Sequence, residues 1–513
     1  MKNNYLPNFA SIKIVVLLFF SIHLQAQNDY TVSAIPHQVY VGSIPVQGTS
    51  DDTFSAPIPL GFDFYFYGGM YNQVNVSTNG YISFNPQAQG TNSPWSFNTT
   101  IPNANFPVKN AFFGCYHDLN NSNAEGTITY TILGSAPYRR LVVLFDNQSH
   151  FSCTALKSSF QMILYETLNI LDVQLIEKEV CNSWNGGNAV TGIIDATGLI
   201  AYTPVNRNTG QWTAFQEGWR FQRPINTESY LFAKCDDDTD GFVSFNLQVS
   251  QNDLSPGNPA VVAFYNTESD AVSQINPLTG LIYTNTIANM QTIYANVNGA
   301  IKSVELRVID CANDYDLDSV ETSNEDLNGD SNLGNDDTDG DGIPNFIDND
   351  DDGDMILTNI EYVFTRSANV ASALLDTDGD LIPNYLDNDD DGDGDLTILE
   401  DYNGNNNPLD DDTDGNSVPD YLDSAVALGV SNFVGQNEVT IYPNPVSSVL
   451  NIENKSSESI NAISIYNVNG SLVKELKSSD SFQSISVSEL QSGIYFVKIQ
   501  FNNRVANYKF VKQ

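Results

Sequence analysis

Residues 337–361 read DTDGDGIPNFIDNDDDGDMILTNIE, and residues 376–400 read DTDGDLIPNYLDNDDDGDGDLTILE. The two stretches stand 39 residues apart and nearly superimpose. In each, acids recur at the first, third, fifth and twelfth places of a 12-residue window. Asp337, Asp339, Asp341 and Asp348 form one set, and Asp376, Asp378, Asp380 and Asp387 repeat it. Asp350, Asp352, Asp354 and Glu361 form another, with Met355 sixth where glycine is expected. Asp389, Asp391, Asp393 and Glu400 form the fullest, with Gly394 sixth. Poorer copies flank these. They are Asp314, Asp316, Asp318, Glu325; Asp326, Asn328, Asp330, Asp337; Asp401, Asn403, Asn405, Asp412; and Asp412, Asp414, Asn416, Asp423.

Hard oxygens at alternate positions of a tightly curled loop can converge on one Ca²⁺, which takes six to eight of them. Glycine at the sixth place allows the sharp turn, and the acid at the twelfth closes the shell. Eight windows in one register point to Ca²⁺ far more strongly than one would. The competing reading is a disordered acidic linker, the usual fate of a run of like charges. Random acidic tracts do not keep such a register. Nor do they place Ile343-Pro344-Asn345-Phe346 and Ile382-Pro383-Asn384-Tyr385 at matching points, which suit packing of one turn against the next. Paired EF-hands need flanking helices, for which most of these loops leave no room.

The arrangement resembles the thrombospondin type 3 repeat, in which consecutive aspartate-rich loops wrap a string of calcium ions. The resemblance covers residues 312–423 only. Residues 362–375 interrupt it and are expected to form a short helix. Carboxylates this close repel, so the segment is expected to be a rod that forms with calcium and collapses or disorders without it.

Residues 314–423 hold 34 acids and one base, Arg366, and so carry −33 of the chain's −42. The acidity is local. Phosphate binding needs clustered Lys and Arg, so nucleic acid is not an expected partner. At 513 residues the chain is long enough for three or four domains. Residues 1–26 read as a secretory signal: Lys2 and Lys13 precede the apolar run Ile14 to Phe20, with Ala26 as cleavage site. The alternative, an uncleaved anchor, needs a span of about 20 apolar residues. No later segment is apolar enough to cross a bilayer, so the mature chain is expected to carry no transmembrane span. Five cysteines suit an oxidising compartment. Spacing suggests Cys153 with Cys181 and Cys235 with Cys311, leaving Cys115 free, and by itself leaves other pairings open.

The fold class is mostly β: multidomain β-sandwiches joined by the aspartate-rich loop array. Residues 27–224 read as a β-sandwich. Phe62, Phe64 and Phe66 alternate with polar neighbours, and Asn79-Gly80 sits between apolar runs as in a hairpin. The block Phe62 to Phe84, with Phe112-Phe113-Gly114 and Trp184 to Val190, resembles an N-terminal β-domain of large secreted proteins of gliding Bacteroidetes. Residues 225–311 read as a smaller β-domain, similar at fold level to the immunoglobulin-like modules of such proteins. Residues 424–437 read as a linker. Residues 438–513, with Ile441-Tyr442-Pro443-Asn444-Pro445, Tyr466-Asn467-Val468-Asn469-Gly470 and Leu490-Gln491-Ser492-Gly493-Ile494-Tyr495-Phe496, closely resemble the type A C-terminal sorting domain of the type IX secretion system. That resemblance implies export by the type IX machinery to the outer-membrane surface or the medium.

Catalytic candidates are few. Cys115, His117 and Asp118 are the one tight nucleophile-like group, and a buried strand thiol beside a loop histidine is the plainer reading. Trp184, Trp212 and Trp219 suit a carbohydrate platform or a core. Glu166, Glu177 and Asp195 are acids of the type used in glycoside hydrolysis. The expected protein is a secreted, calcium-binding surface protein for adhesion or recognition of an extracellular glycan or protein, and not an enzyme. The alternative is a secreted hydrolase with its site in residues 27–224.

Overall fold

The computed structural model describes residues 29–122, 126–365, 373–426, 439–454, 460, 462–467, 472–477, 482–491, 493–500 and 505–513. The expected signal, residues 1–26, lies outside the described residues, as does most of the expected linker. Among the described residues no helix is long and apolar enough to cross a membrane.

The protein is mostly β, in several sheets. The first β-domain pairs an eight-stranded with a six-stranded sheet. In the larger, Arg140–His150, Cys153–Tyr165, Leu171–Lys178 and Ala214–Gln222 run antiparallel in that order, with Thr31–Ile35 at the edge. Ile58–Phe66 shows why alternation decides the fold here: its residues are buried and exposed in strict turn. Phe62, Phe64 and Phe66 face a core shared with Phe145 and Phe160. Burying each such ring stabilises by about 1.5–3 kcal/mol.

The second β-domain builds a four-stranded sheet in which Ser229–Cys235 runs parallel to Ala300–Ile309. It adds two short helices, Leu247–Leu254 and Glu268–Ser273, which depart from the immunoglobulin-like expectation. Side chains of Asn246 and Thr267 cap them by accepting from the N–H groups of Gln248 and Asp270. Helices this short need tertiary contacts to persist, so their apolar period is a weak sequence signal. Disulfides join Cys153 to Cys181 and Cys235 to Cys311, and Cys115 is free and buried.

Residues 439–513 form a separate unit of a three-stranded and a four-stranded sheet. Leu450, Ile452, Ile463, Ile465, Val497 and Phe510 fill the space between them.

The loop array is not a free spacer, contrary to the expected rod. Tyr315, Leu333, Ile343, Phe346 and Ile347 share one buried cluster with Tyr138, Val142, Ile163 and Ile170 of the first β-domain and Ala233 and Ile309 of the second. Phe346 meets Tyr138 edge-on at 5.4 Å between ring centres. Ile343 and Phe346 therefore pack on the β-domains rather than on the next turn. Tyr385 does pack within the array, against Tyr362 at 5.2 Å. The expected helix at 362–375 is corrected as well. Phe364–Thr365 pairs antiparallel with Ala373–Leu374, and the helical turn falls earlier, at Thr358–Glu361; residues 366–372 lie outside the described residues.

Candidate metal centre

The eight windows are numbered here loop 1 (314–325), loop 2 (326–337), loop 3 (337–348), loop 4 (350–361), loop 5 (376–387), loop 6 (389–400), loop 7 (401–412) and loop 8 (412–423). All share one backbone shape. The sixth residue has a left-handed φ in every loop, between 62° and 98°. Only Gly342 and Gly394 are glycines there; Met355 and Leu381 take the same conformation. For an ordinary residue that conformation costs about 1–2 kcal/mol, so something in each loop holds it. The fourth residue is left-handed too, between 67° and 82°, and is glycine in all but loop 1, where Leu317 stands.

Side-chain oxygens fold each loop around itself. The first aspartate accepts from the sixth N–H: Gly342 N to Asp337 is 3.2 Å and Ser417 N to Asp412 is 3.0 Å. The fifth accepts from the seventh: Ile343 N to Asp341, Ile356 N to Asp354 and Ile382 N to Asp380 are each 2.7 Å. A ninth residue closes the ring in five loops. Asn345, Thr358, Asn384, Thr397 and Asp420 each accept from the N–H of the second residue with a side-chain oxygen. A single helical turn then carries the chain to the twelfth acid, as at Asn345–Ile347 and Thr397–Leu399. In loops 2 and 7 the closing acceptors are Asp336 and Asp411 instead.

This geometry turns the remaining oxygens inward. Asp314, Asp316 and Asp318 converge, as do Asp337, Asp339 and Asp341, and Asp350, Asp352 and Asp354. Asp316, Asp318, Glu325, Asp354, Glu361 and Glu400 are all 2 % exposed or less. Each leaves at least one buried oxygen that meets no hydrogen-bond donor, as do Asp352, Asp389, Asp391 and Asp393. A buried carboxylate without a partner is strongly unfavourable. Burial and neighbouring acids push the Glu325 and Glu400 carboxyls up to about 9, and burial raises Asp348 to about 8. Loops 5, 7 and 8 are more open: Asp378, Asp380, Asp412, Asp414 and Asn416 are exposed.

Two arginines of the first β-domain reach the array. Arg220 holds Asp172 with two hydrogen bonds of 3.1 Å and lies 4.0 Å from Asp348. Arg140 donates to the Tyr315 carbonyl at 2.6 Å, so loops 1 and 3 are both tied to the first β-domain.

The windows as read from sequence omit a ninth loop. Asp236, Asp238 and Asp240 converge beside Cys235. Thr239 and Gly241 are left-handed at the fourth and sixth places, and Gly241 N donates to Asp236 at 2.8 Å. The spacing Asp236-x-Asp238-x-Asp240-Gly241 is visible in the sequence. It escapes a 12-residue template because Leu247 stands twelfth.

Of the catalytic candidates, His117, Asp118 and Trp184 line one small cavity together with His150, and the others lie elsewhere in the domain. Cys115 lies in the core, and burial pushes its thiol up to about 12. His117 meets His150 edge-on at 4.4 Å, and Asp118 accepts from Trp184 Nε1 at 2.7 Å. Glu166 is clamped by Arg139 through two bonds of 2.7 Å. Asp195 accepts from Thr197 in a turn, and Glu177 is exposed on its strand. Trp212 is buried and Trp219 packs against the core, while Trp184 stacks on Trp95 at 6.0 Å.

Comparison with known families fits this division. Residues 440–513 match the secretion system C-terminal sorting domain. This is a secreted protein sorted by the type IX system of Bacteroidetes. It is displayed on the cell surface or released. Residues 231–312 match the Flavobacterium inter-domain disulphide bond domain, whose span contains Cys235 and Cys311. Residues 26–234 match a family described as NIDO related, and residues 315–374 one described as BamM C-terminal. No curated protein matches the chain. Among solved structures, a DUF3244-family protein from Bacteroides vulgatus with an immunoglobulin-like β-sandwich is 18 % identical, over 15 % of this chain and 85 % of its own, at a TM-score of 0.14. The BSP domain of a biofilm-associated protein is 12 % identical, over 75 % of this chain and 51 % of its own, at a TM-score of 0.13. Likenesses this slight carry no inference.

Proposed function

We propose that this secreted surface protein binds calcium through a thrombospondin type 3-like array and acts in adhesion or recognition rather than catalysis. The observation that carries the calcium reading is the set of buried carboxylate oxygens without donors, held inward by a backbone shape common to eight loops. A hard divalent cation with six to eight oxygen ligands matches that donor set. Extracellular calcium modules work at roughly 10⁻⁴–10⁻³ M, so modest sites fill outside the cell. In support of recognition, sorting delivers the chain to the surface or the medium, while Glu166, Asp195 and the Cys115 thiol of the first β-domain are occupied in an ion pair, a turn and the core. The ligand would be an extracellular glycan or protein.

The test is calorimetric unfolding of the full chain with excess calcium and with chelator, alongside metal analysis. One ion at a hundredfold excess over its Kd stabilises by about 2.7 kcal/mol. Several sites together should lower the transition of the β-domain and array unit by more than ten degrees on chelation, and leave the sorting unit unmoved. A purified chain that holds no calcium and unfolds identically in both buffers overturns the reading.

A further inference from the structure

Two acids that the 12-residue register leaves out are among the most deeply buried in the array. Asp351 and Asp390 stand second in loops 4 and 6, and are 3 % and 2 % exposed. Both oxygens of each meet no donor. Their backbone N–H groups are held by Thr358 and Thr397, the ninth residues of their own loops, at 3.0 and 3.4 Å.

What the side chains meet lies in an earlier loop. Oxygens of Asp351, Asp318 and Glu325 all fall within 4.8 Å of one another, although Glu325 and Asp351 are 26 residues apart. Both oxygens of Glu325 and one of Asp318 also lack donors. The same relation recurs one step on. Asp390 neighbours Asp354 and Glu361 of loop 4, and there too both Glu361 oxygens and one Asp354 oxygen are buried without donors. Loop 1 thus relates to loop 4 as loop 4 does to loop 6.

Three buried carboxylates from two loops, with no donor among them, repel strongly unless a cation sits between. We propose that Asp351 and Asp390 are metal ligands that reach back into loops 1 and 4, each completing a divalent-cation site shared between two loops. Such ions tie distant loops together as staples. The first fastens loop 4 to loop 1, which begins three residues beyond Cys311 of the disulfide Cys235–Cys311. The second fastens loop 6 to loop 4. The inference rests on the calcium reading above and adds which loops each ion joins.

The experiment is native mass spectrometry of the full chain across a calcium titration, with Asp351→Asn, Asp390→Asn and the double variant. Asparagine keeps the shape and the backbone bond while removing the charge. At subsaturating calcium each single variant should hold one ion fewer and the double variant two fewer. Asp237→Asn changes the equivalent second residue of the loop beside Cys235, where the side chain is exposed, and should lose none. Terbium-loaded crystals of the wild type give a reading independent of variant folding, an anomalous peak among Asp351, Asp318 and Glu325. Equal ion counts in wild type and Asp351→Asn, or a density map with no peak there, overturn the shared sites. A wild type that binds no ions at all overturns the calcium reading itself.

Discussion

Loops 3 and 5 differ at three of their twelve residues, yet one packs against the β-domains and the other is more open. Inside, they match. Thr338 N donates to Asn345 and Thr377 N to Asn384, both at 2.9 Å. Outside, they part. Ile343 is 2 % exposed and its counterpart Ile382 is 44 % exposed. Asp348 sits beside Arg220, and Phe346 against Tyr138. The sixth residue records the difference. A Cβ on Gly342 would fall 2.7 Å from Ile225 Cγ1, whereas Leu381 at the same place is 89 % exposed. A local code builds the loop, and the surface opposite decides how strongly its carboxylates are desolvated and how much they need a cation.

The broadest way to break this comparison is pH. Without metal, burial raises the folded-state carboxyls of Asp318 to about 7, Asp348 and Asp390 to about 8, and Glu325 to about 9, from ordinary values of 3.8 and 4.5. The folded chain then binds more protons than the unfolded one between about pH 4 and pH 9, so its stability should fall as pH rises through that window. Liganded calcium holds the same groups ionised and reverses the sign: stability should be full above about pH 5 and be lost below it. Thermal midpoints from pH 4 to 9, with calcium and with chelator, should slope in opposite directions. Parallel slopes would mean that the buried acids do not couple to metal.

A sharper test uses the matched isoleucines. Ile343→Ala should cost about 2–5 kcal/mol, as for other buried large-to-small changes. Ile382→Ala should stay within about 1 kcal/mol. Denaturant midpoints in excess calcium compare the two; equal losses would contradict the burial difference. The smallest effect is at the sixth place. Leu381→Gly relieves a left-handed φ of 87° on an exposed residue and should stabilise by up to about 1 kcal/mol. Gly342→Leu should destabilise through the clash with Ile225. Equal and opposite changes at the two places would show that the two loops share one environment after all.

Much of the site is legible in residue spacing. Oxygen-bearing side chains at alternate places and a left-handed turn at the sixth describe all eight loops, because bonds between near neighbours set that geometry. The signals passed over were local too: the glycine at the fourth place, the ninth-residue acceptor and the loop at Asp236. Alternation in Ile58–Phe66 likewise places its strand without help from the rest of the chain. The helices Leu247–Leu254 and Glu268–Ser273 were harder to read, since so few residues carry little periodicity.

The sequence by itself determined the secreted sorting, the β character and the loop shape, all of which rest on contacts within a dozen residues or on a contiguous motif. Only the tertiary structure decided that the array lies against the β-domains, that Arg220 faces Asp348, and that Asp351 and Asp390 look back into earlier loops. Those depend on apolar surface and charge brought together from far apart. Phe346 reads the same in sequence whether it packs on Tyr138 or on the next turn, and the hydrophobic effect carries no direction. Burial there comes from the shape of the opposite surface, which no window of the chain encodes.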